Sequence, residues 1–408
     1  MTLSLNSTLK LPNGIILKNR IAKSAMSENM ASKNHCANSR FATLYRRWAN
    51  GGAGLLISGN IMIDSRYLGE PNNIVLEKGR SNEAIREWTR AGTENGTHLW
   101  AQLNHPGKQS PKFLSKEPVA PSAIALKAPL DRMFNTPREL TNEEIEEIIE
   151  RFATAAKLAK DLGFTGVQIH GAHGYLVSQF LSPHHNRRSD KWGGSLENRM
   201  RFVVSIYKAI RDAVGLEFPI AIKINSADFQ KGGFSQEDSM EVVKVLSELG
   251  MDLIEISGGS YESQEMMGTT KKESTRKREA YFADYCEQVR KIVKTPIMLT
   301  GGFRSLKGMN EALEQEACDL VGLGRSLVLN PEFPNQLMAG EDVKSEVHFL
   351  TTGWKIMDNI FPLEITWYTQ QIHRMGKGLD PKPKMSVKAS VLYTLISMGV
   401  DGLKRVRG

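Results

Sequence analysis

Cysteine is scarce in this chain. Cys36, Cys286 and Cys318 are its three thiols in 408 residues, too scattered for a disulfide framework or a metal-ligand spacing. That excludes a small stapled scaffold and makes a reducing, cytoplasmic setting the expectation. No uninterrupted apolar run approaches the ~20 residues of a membrane span, so no transmembrane segment is expected. Met1–Lys10 has no apolar core of the kind a secretory signal carries. Internal repeats and low-complexity tracts are also lacking. Acidic residues are outnumbered, 45 against 53 basic ones, for a net charge of +8. Such a balance suits anionic ligands, for example phosphates or a dinucleotide. Nucleic acid is the competing partner, but no motif and no long basic run supports it. The densest basic cluster, Lys271-Lys272 with Arg276-Lys277-Arg278, reads as a solvated loop rather than a dock for a phosphorylated cofactor.

What the chain does have is ordinary globular composition, 40% hydrophobic and 24% charged, and a regular succession of short apolar runs. Strands are expected at Arg20–Ala25, Gly54–Ser58, His98–Leu103, Gly166–His170, Pro219–Ile224, Asp252–Ser257, Pro296–Thr300 and Asp319–Leu323. Segments of helical period lie between most of them. In Thr141–Leu162, Thr141 and Glu144 form a capping box, and Gly163 supplies the stop. Glu197–Val214, ended by Gly215, is a second such helix. Near-continuous apolar strands alternating with helices predict an α/β protein, a (β/α)8 TIM barrel over residues 1–340. A doubly wound sheet is the rival, but it would gather its polar strand-end residues at one switch point. Here they follow nearly every strand: Ser27, Gly59, Gln102, His170, His173, Asn225, Ser257, Gly301 and Gly324. The stretch Asn104–Leu140 exceeds a simple connection and reads as a lid or binding loop, or else as a disordered one. Residues 341–408 form a C-terminal extension, expected to be helical. Its apolar segment Val391–Val400 is expected to pack on the barrel or on a partner subunit rather than at a membrane surface.

Chemistry concentrates after the fourth strand. His170-Gly-Ala-His173-Gly-Tyr175 releases two imidazoles and a phenol together from a strand end. Imidazoles can hold a carbonyl oxygen by hydrogen bonds and a phenol can deliver a proton, which suits polarising and protonating an unsaturated carbonyl. Zinc is the alternative for His170 and His173, with His184 and His185 nearby, but no acid or cysteine at a strand end completes a set. Gly301-Gly302 and Gly324-Arg325 lie after the last two strands, where barrels of this kind bind phosphate through backbone N–H groups. Gln102 offers an amide that both donates and accepts, suited to the uracil-like edge of a flavin or to a core backbone contact. Lys223 is a charge inside an apolar strand and needs an anion, a reduced flavin or a phosphate. A Schiff-base lysine, as in aldolases, is its other reading.

Taken together, these residues resemble the old yellow enzyme family, the FMN-dependent NAD(P)H:flavin oxidoreductases and ene-reductases. The resemblance runs over roughly residues 5 to 340. It is strongest from Gly163 to Tyr175, then Phe180-Leu-Ser-Pro183, Asn186-Arg-Arg-Ser-Asp190, Gly193-Gly-Ser195 and Glu197-Asn198-Arg199. Asn19-Arg20-Ile21, Ala25-Met26-Ser27, Gln102 and Gly324-Arg325 follow the family's order. The resemblance implies FMN across the top of the barrel. Ala25, Met26, Ser27 and Gly59 would flank its ring, Gln102 meet the pyrimidine edge and Lys223 stand near N1. Gly301, Gly302, Gly324 and Arg325 would take the phosphate. His170 and His173 would bind a substrate carbonyl, and Tyr175 would be the proton donor. It implies hydride transfer from NADH or NADPH to flavin N5. A second transfer then reaches the β-carbon of a small enone or related acceptor. Many relatives carry threonine or cysteine where this chain has Ser27, and arginine where it has Lys223. The iron–sulfur cluster and second dinucleotide domain of larger relatives are not expected. Alternatives are a flavin dehydrogenase of another small metabolite, a flavin-free Lys223 Schiff-base lyase and a non-catalytic flavin-binding protein. A homo-oligomer is compatible with the sequence, without specific support from it.

Overall fold

The computed structural model describes residues 3–80, 83–259, 262, 279–354, 358 and 363–392. Eight parallel strands form the closed ring of the central sheet, and a short ninth strand, Ile74–Val75, pairs at its side. The eight are β1 (Ile21–Lys23), β2 (Leu55–Met62), β3 (His98–Asn104), β4 (Gly166–Gly171), β5 (Ile220–Asn225), β6 (Leu253–Ser257), β7 (Ile297–Thr300) and β8 (Leu320–Leu323). Each pairs with the next, and β8 pairs with β1, so the sheet closes on itself. This is the (β/α)8 barrel that the alternation of runs predicts, and all eight expected strands are present. Outside it lie the helices α1 (Ser39–Asn50), α2 (Glu83–Gly92), α3 (Asn142–Asp161), α4 (Leu196–Val214), α5 (Gln236–Glu248), α6 (Ala283–Arg290), α7 (Leu306–Glu314) and α8 (Phe333–Met338). Thr141 and Glu144 make the reciprocal capping box at the start of α3, and Ser195 caps α4.

Side chains alternate across each strand, so every second residue points into the barrel. The inward set splits into two layers. Ala22, Leu55, Ile57, Trp100, Ala221, Leu253, Met298 and Leu320 fill the lower interior. A two-stranded antiparallel ribbon, Leu9–Lys10 with Ile16–Leu17, closes that end with Leu9, Leu11 and Leu17. The next inward positions are polar: Gln102, Gln168, Lys223, Glu255 and Thr300. The apolar layer seals the bottom and the polar layer is delivered to the C-terminal ends of the strands, where barrels of this type place their sites. The outward residues of the same strands, such as Ile222, Ile224, Ile254 and Ile256, are fully buried under the helices.

After α8 the chain returns across the barrel. A further helix, α9 (Leu363–Gly376), packs on α1 and on the short helix Arg325–Leu329. Trp367 at its centre is fully buried. The loop Asn104–Leu140 carries a 3-10 turn at Gly107–Gln109 and a short parallel pairing of Val119–Ala120 with Arg138–Glu139. Among the described residues no helix is long and apolar enough to cross a membrane. The basic cluster Lys271-Lys272, Arg276-Lys277-Arg278 and the end of the Val391–Val400 segment lie outside the described residues.

Candidate active site

At the C-terminal ends of the strands is a cavity of about 300 Å³. Its walls include Ala25, Met26, Ser27, Gln102, His170, His173, Tyr175, Lys223, Gly301, Gly302, Gly324 and Arg325. Residues nearly 300 positions apart in the chain thus meet at one place. Gly59 is the exception. Its N–H is bonded to Glu28 Oε1 at 2.8 Å, and a Cβ there would lie 2.4 Å from the Met26 carbonyl oxygen. Gly59 therefore lets the loop after β1 lie against β2, where the register shifts between Ile57 and Asn60, and it stands behind the cavity wall.

His170 lies one residue before the end of β4 and is buried. Its Nδ1 accepts the Ala172 N–H at 3.3 Å, which puts the ring proton on Nε2. His173 adopts φ +62°, a left-handed conformation that sharply turns the chain after the strand. Asn225 Oδ1 holds its N–H at 3.2 Å, and Ser257 Oγ lies 2.8 Å from its Nε2. The two imidazoles sit edge to face, centroids 5.1 Å apart, and the Tyr175 ring lies 4.7 Å from His170. Burial holds both histidines well below the usual imidazole range, and the positive charge of Lys223 adds to it. Both imidazoles therefore favour the neutral form. Asn60 Nδ2 donates to the Tyr175 hydroxyl at 3.4 Å.

Beneath them runs a buried polar relay. Gln102 Nε2 donates to Gln168 Oε1 at 2.7 Å, and Gln168 Nε2 donates to Glu255 Oε2 at 2.8 Å. Glu255 Oε1 takes Lys223 Nζ at 3.0 Å and the Thr300 hydroxyl at 2.7 Å. Lys223 and Glu255 are direct register partners on β5 and β6. The anion that Lys223 requires is thus supplied first by the protein. No single motif of the sequence points to Glu255. Its signal was visible: Leu253-Ile-Glu255-Ile-Ser repeats the pattern of Ala221-Ile-Lys223-Ile-Asn, an inward charge of opposite sign on the next strand. Ser27 donates to Glu70, a cavity-wall acid that the sequence did not single out. Burial raises the Glu70 carboxyl above its ordinary range, while bonds from Ser27 and Asn73 oppose that shift.

His184 and His185 do not join His170 and His173. They gather with Glu262, with candidate ligand atoms within 4.8 Å of one another. Lys108 Nζ stands 2.9 Å from His185 Nδ1, so a cation bound there would face a second positive group.

On the opposite wall Gly301 (φ +126°) and Gly302 (φ +90°) hold conformations that disfavour side chains, leaving backbone at the surface of the cavity. Arg325 donates to Glu364 Oε2 at 3.0 Å. Glu364 and Tyr368 come from α9 and were not anticipated.

Fold and site together define an α/β-barrel enzyme that works on a small molecule at the top of its barrel. The profile of the NADH:flavin oxidoreductase / NADH oxidase family matches residues 7–343. The chain is 38% identical over 356 residues to the NADH-dependent flavin oxidoreductase iliE of Hypocrea jecorina, covering 81% of this chain and 88% of that one. With the NADH-dependent flavin oxidoreductase iccE of Talaromyces variabilis it shares 35% over 408 residues, covering 92% and 99%. An old yellow enzyme homologue from Zymomonas mobilis superposes with a TM-score of 0.72 at 25% identity, covering 84% of this chain and 95% of that one. The chain belongs to the NADH:flavin oxidoreductase family of old yellow enzyme type. It is a flavin-dependent oxidoreductase with FMN as cofactor and NADH or NADPH as reductant. The cavity fits that cofactor. It offers backbone at Gly301 and Gly302, the cations Lys223 and Arg325, and two buried polar atoms, Asn60 Oδ1 and Tyr368 Oη, that have no hydrogen-bond partner among the described residues.

Proposed function

We propose that this enzyme reduces the activated C=C bond of small α,β-unsaturated carbonyl compounds. The observation that carries the proposal is the convergence of His170, His173 and Tyr175 on the one cavity that also holds the Gln102–Lys223 relay and the Gly301–Arg325 wall. Bound FMN would supply the hydride, received from a nicotinamide and passed to the acceptor. The protein's part is position and electrostatics. Gln102, with one amide hydrogen fixed on Gln168, has its oxygen and second hydrogen for the edge of the ring. Lys223 would place positive charge where charge accumulates on reduction, and its ion pair with Glu255 holds it in position. A lysine held in a buried ion pair is a poor nucleophile, which weighs against the Schiff-base lyase. Backbone at Gly301, Gly302 and Gly324, with Arg325, would hold the phosphate.

The acceptor's carbonyl oxygen would rest between the two histidine rings. His170 Nε2–H is a fixed donor because Nδ1 is already occupied. Two neutral donors polarise a carbonyl without burying an uncompensated charge. Tyr175, against the edge of His170, then delivers a proton to the α-carbon.

Phenols, which mimic the polarised carbonyl, report on this pair. His170→Ala and His173→Ala are each expected to weaken phenol binding by roughly tenfold or more, the loss of one good donor. The wild-type affinity should show no step as pH falls through the ordinary imidazole range near 6.5. The folded rings resist protonation, so their charge changes well below that point. Titrations of flavin absorbance with a phenol that stays protonated throughout will check both statements. Unchanged affinity in both variants would remove the histidines from the site.

A further inference from the structure

The C-terminal helix α9 lies beyond the residues matched to the family, yet it forms part of the cavity wall through Glu364, Ile365, Tyr368 and Thr369. Three of its side chains fix its position. Trp367 Nε1 donates to the Met385 carbonyl at 3.0 Å, and Gln371 Oε1 accepts the Lys382 N–H at 2.7 Å. His373 Nε2 lies 2.8 Å from the carbonyl oxygen of Glu28, in the loop that follows β1. None of this anchoring uses the Tyr368 hydroxyl. That residue is 1% exposed, and its Oη is buried without a hydrogen-bond partner among the described residues. A phenylalanine would fill the same space without a buried, unbonded hydroxyl. Tyr368 shares the cavity wall with Arg325 and Glu364, which are themselves joined at 3.0 Å.

We propose that α9 completes the cofactor's phosphate site. Tyr368 donates its hydroxyl to a phosphate oxygen, and Glu364 competes with that phosphate for Arg325. The proposal rests on the placement of the FMN phosphate at the Gly301–Arg325 wall. A phosphate arriving at Arg325 meets the Glu364 carboxylate on the same guanidinium. Two anions cannot share that group closely without repulsion, so Glu364 must turn away, and holding the phosphate is weakened by that cost. Tyr368 offsets the cost with a neutral donor that brings no charge of its own. The helix therefore sets how tightly, and how selectively over an unphosphorylated flavin, the cofactor is held.

The test compares FMN with riboflavin on flavin-stripped protein, following quenching of flavin fluorescence. Tyr368→Phe is expected to bind FMN roughly 10-fold more weakly, the loss of one bond to a charged group, with riboflavin binding unchanged. Glu364→Gln is expected to bind FMN several-fold more tightly, again without effect on riboflavin. Arg325→Ala should erase the preference for FMN. Thermal melts of the stripped proteins should show Tyr368→Phe at least as stable as wild type, because it removes an unbonded hydroxyl. Equal losses for both flavins in Tyr368→Phe, or wild-type FMN affinity in both α9 variants, would overturn the assignment while leaving the flavin site intact. A wild-type protein that takes up neither flavin would overturn the cofactor placement and this inference with it.

Discussion

Tyr175→Phe is expected to slow reoxidation by an enone by ~10²–10⁴-fold, the usual weight of a positioned general acid, and to leave reduction by NADH or NADPH within about threefold of wild type. The asymmetry follows from where the hydroxyl acts. Protonation of the α-carbon belongs to the acceptor half of the cycle, and no proton is needed at that point when a nicotinamide delivers hydride. The ring itself packs against His170, centroids 4.7 Å apart, and phenylalanine keeps that contact. Asn60, which donates to the hydroxyl at 3.4 Å, loses a partner, so a modest stability loss should accompany the change. Stopped-flow measurement of the two half-reactions separates these effects. Equal losses in both would take the proton-donor role away from Tyr175.

The Lys223–Glu255 pair should give the largest stability effect. Their side chains are 5% and 0% exposed. Removing one member leaves the other charge buried without its partner, which typically costs ~3–5 kcal/mol. Glu255→Leu is expected to fall in that range, because Lys223, Gln168 and Thr300 all lose their acceptor. Lys223→Met should cost similarly. The double variant should be less destabilised than the sum of the singles, since two apolar side chains of similar size replace a pair whose desolvation was itself unfavourable. Chemical denaturation of the four proteins forms the cycle. Additive effects would mean that the relay does not act as a unit. Lys223→Met should also lower the flavin's reduction potential, because a cation no longer faces the charge gained on reduction.

The barrel was legible because its strands are buried on both faces and so read as apolar runs, from Ile21–Lys23 to Leu320–Leu323. The strand-end imidazoles and glycines were legible because a barrel collects the ends of all its strands at one rim. Pairing across strands was harder. Lys223 announced a need for an anion, but naming Glu255 required inward parity to be followed onto the neighbouring strand. Gly59 follows the expected strand Gly54–Ser58, yet it lies within β2, where its backbone serves the packing of the loop after β1. A helical extension was legible, but neither Glu70 nor the return of α9 to the cavity was. Glu364 reaches Arg325 across 39 positions of sequence, and no local period or spacing encodes that return of the chain to the cavity.

Hydride exchange between a nicotinamide and an enone through FMN in one cavity is open to direct observation. The direct measurement is the visible spectrum of the purified protein during anaerobic addition of NADPH or NADH and then cyclohexenone. A yellow protein is expected, bleached by at least one nicotinamide and recoloured by the enone. A protein that bleaches with a nicotinamide but is not recoloured by enones would contradict the proposed acceptor class, and one that stays colourless after FMN is added would contradict the assignment of the cavity.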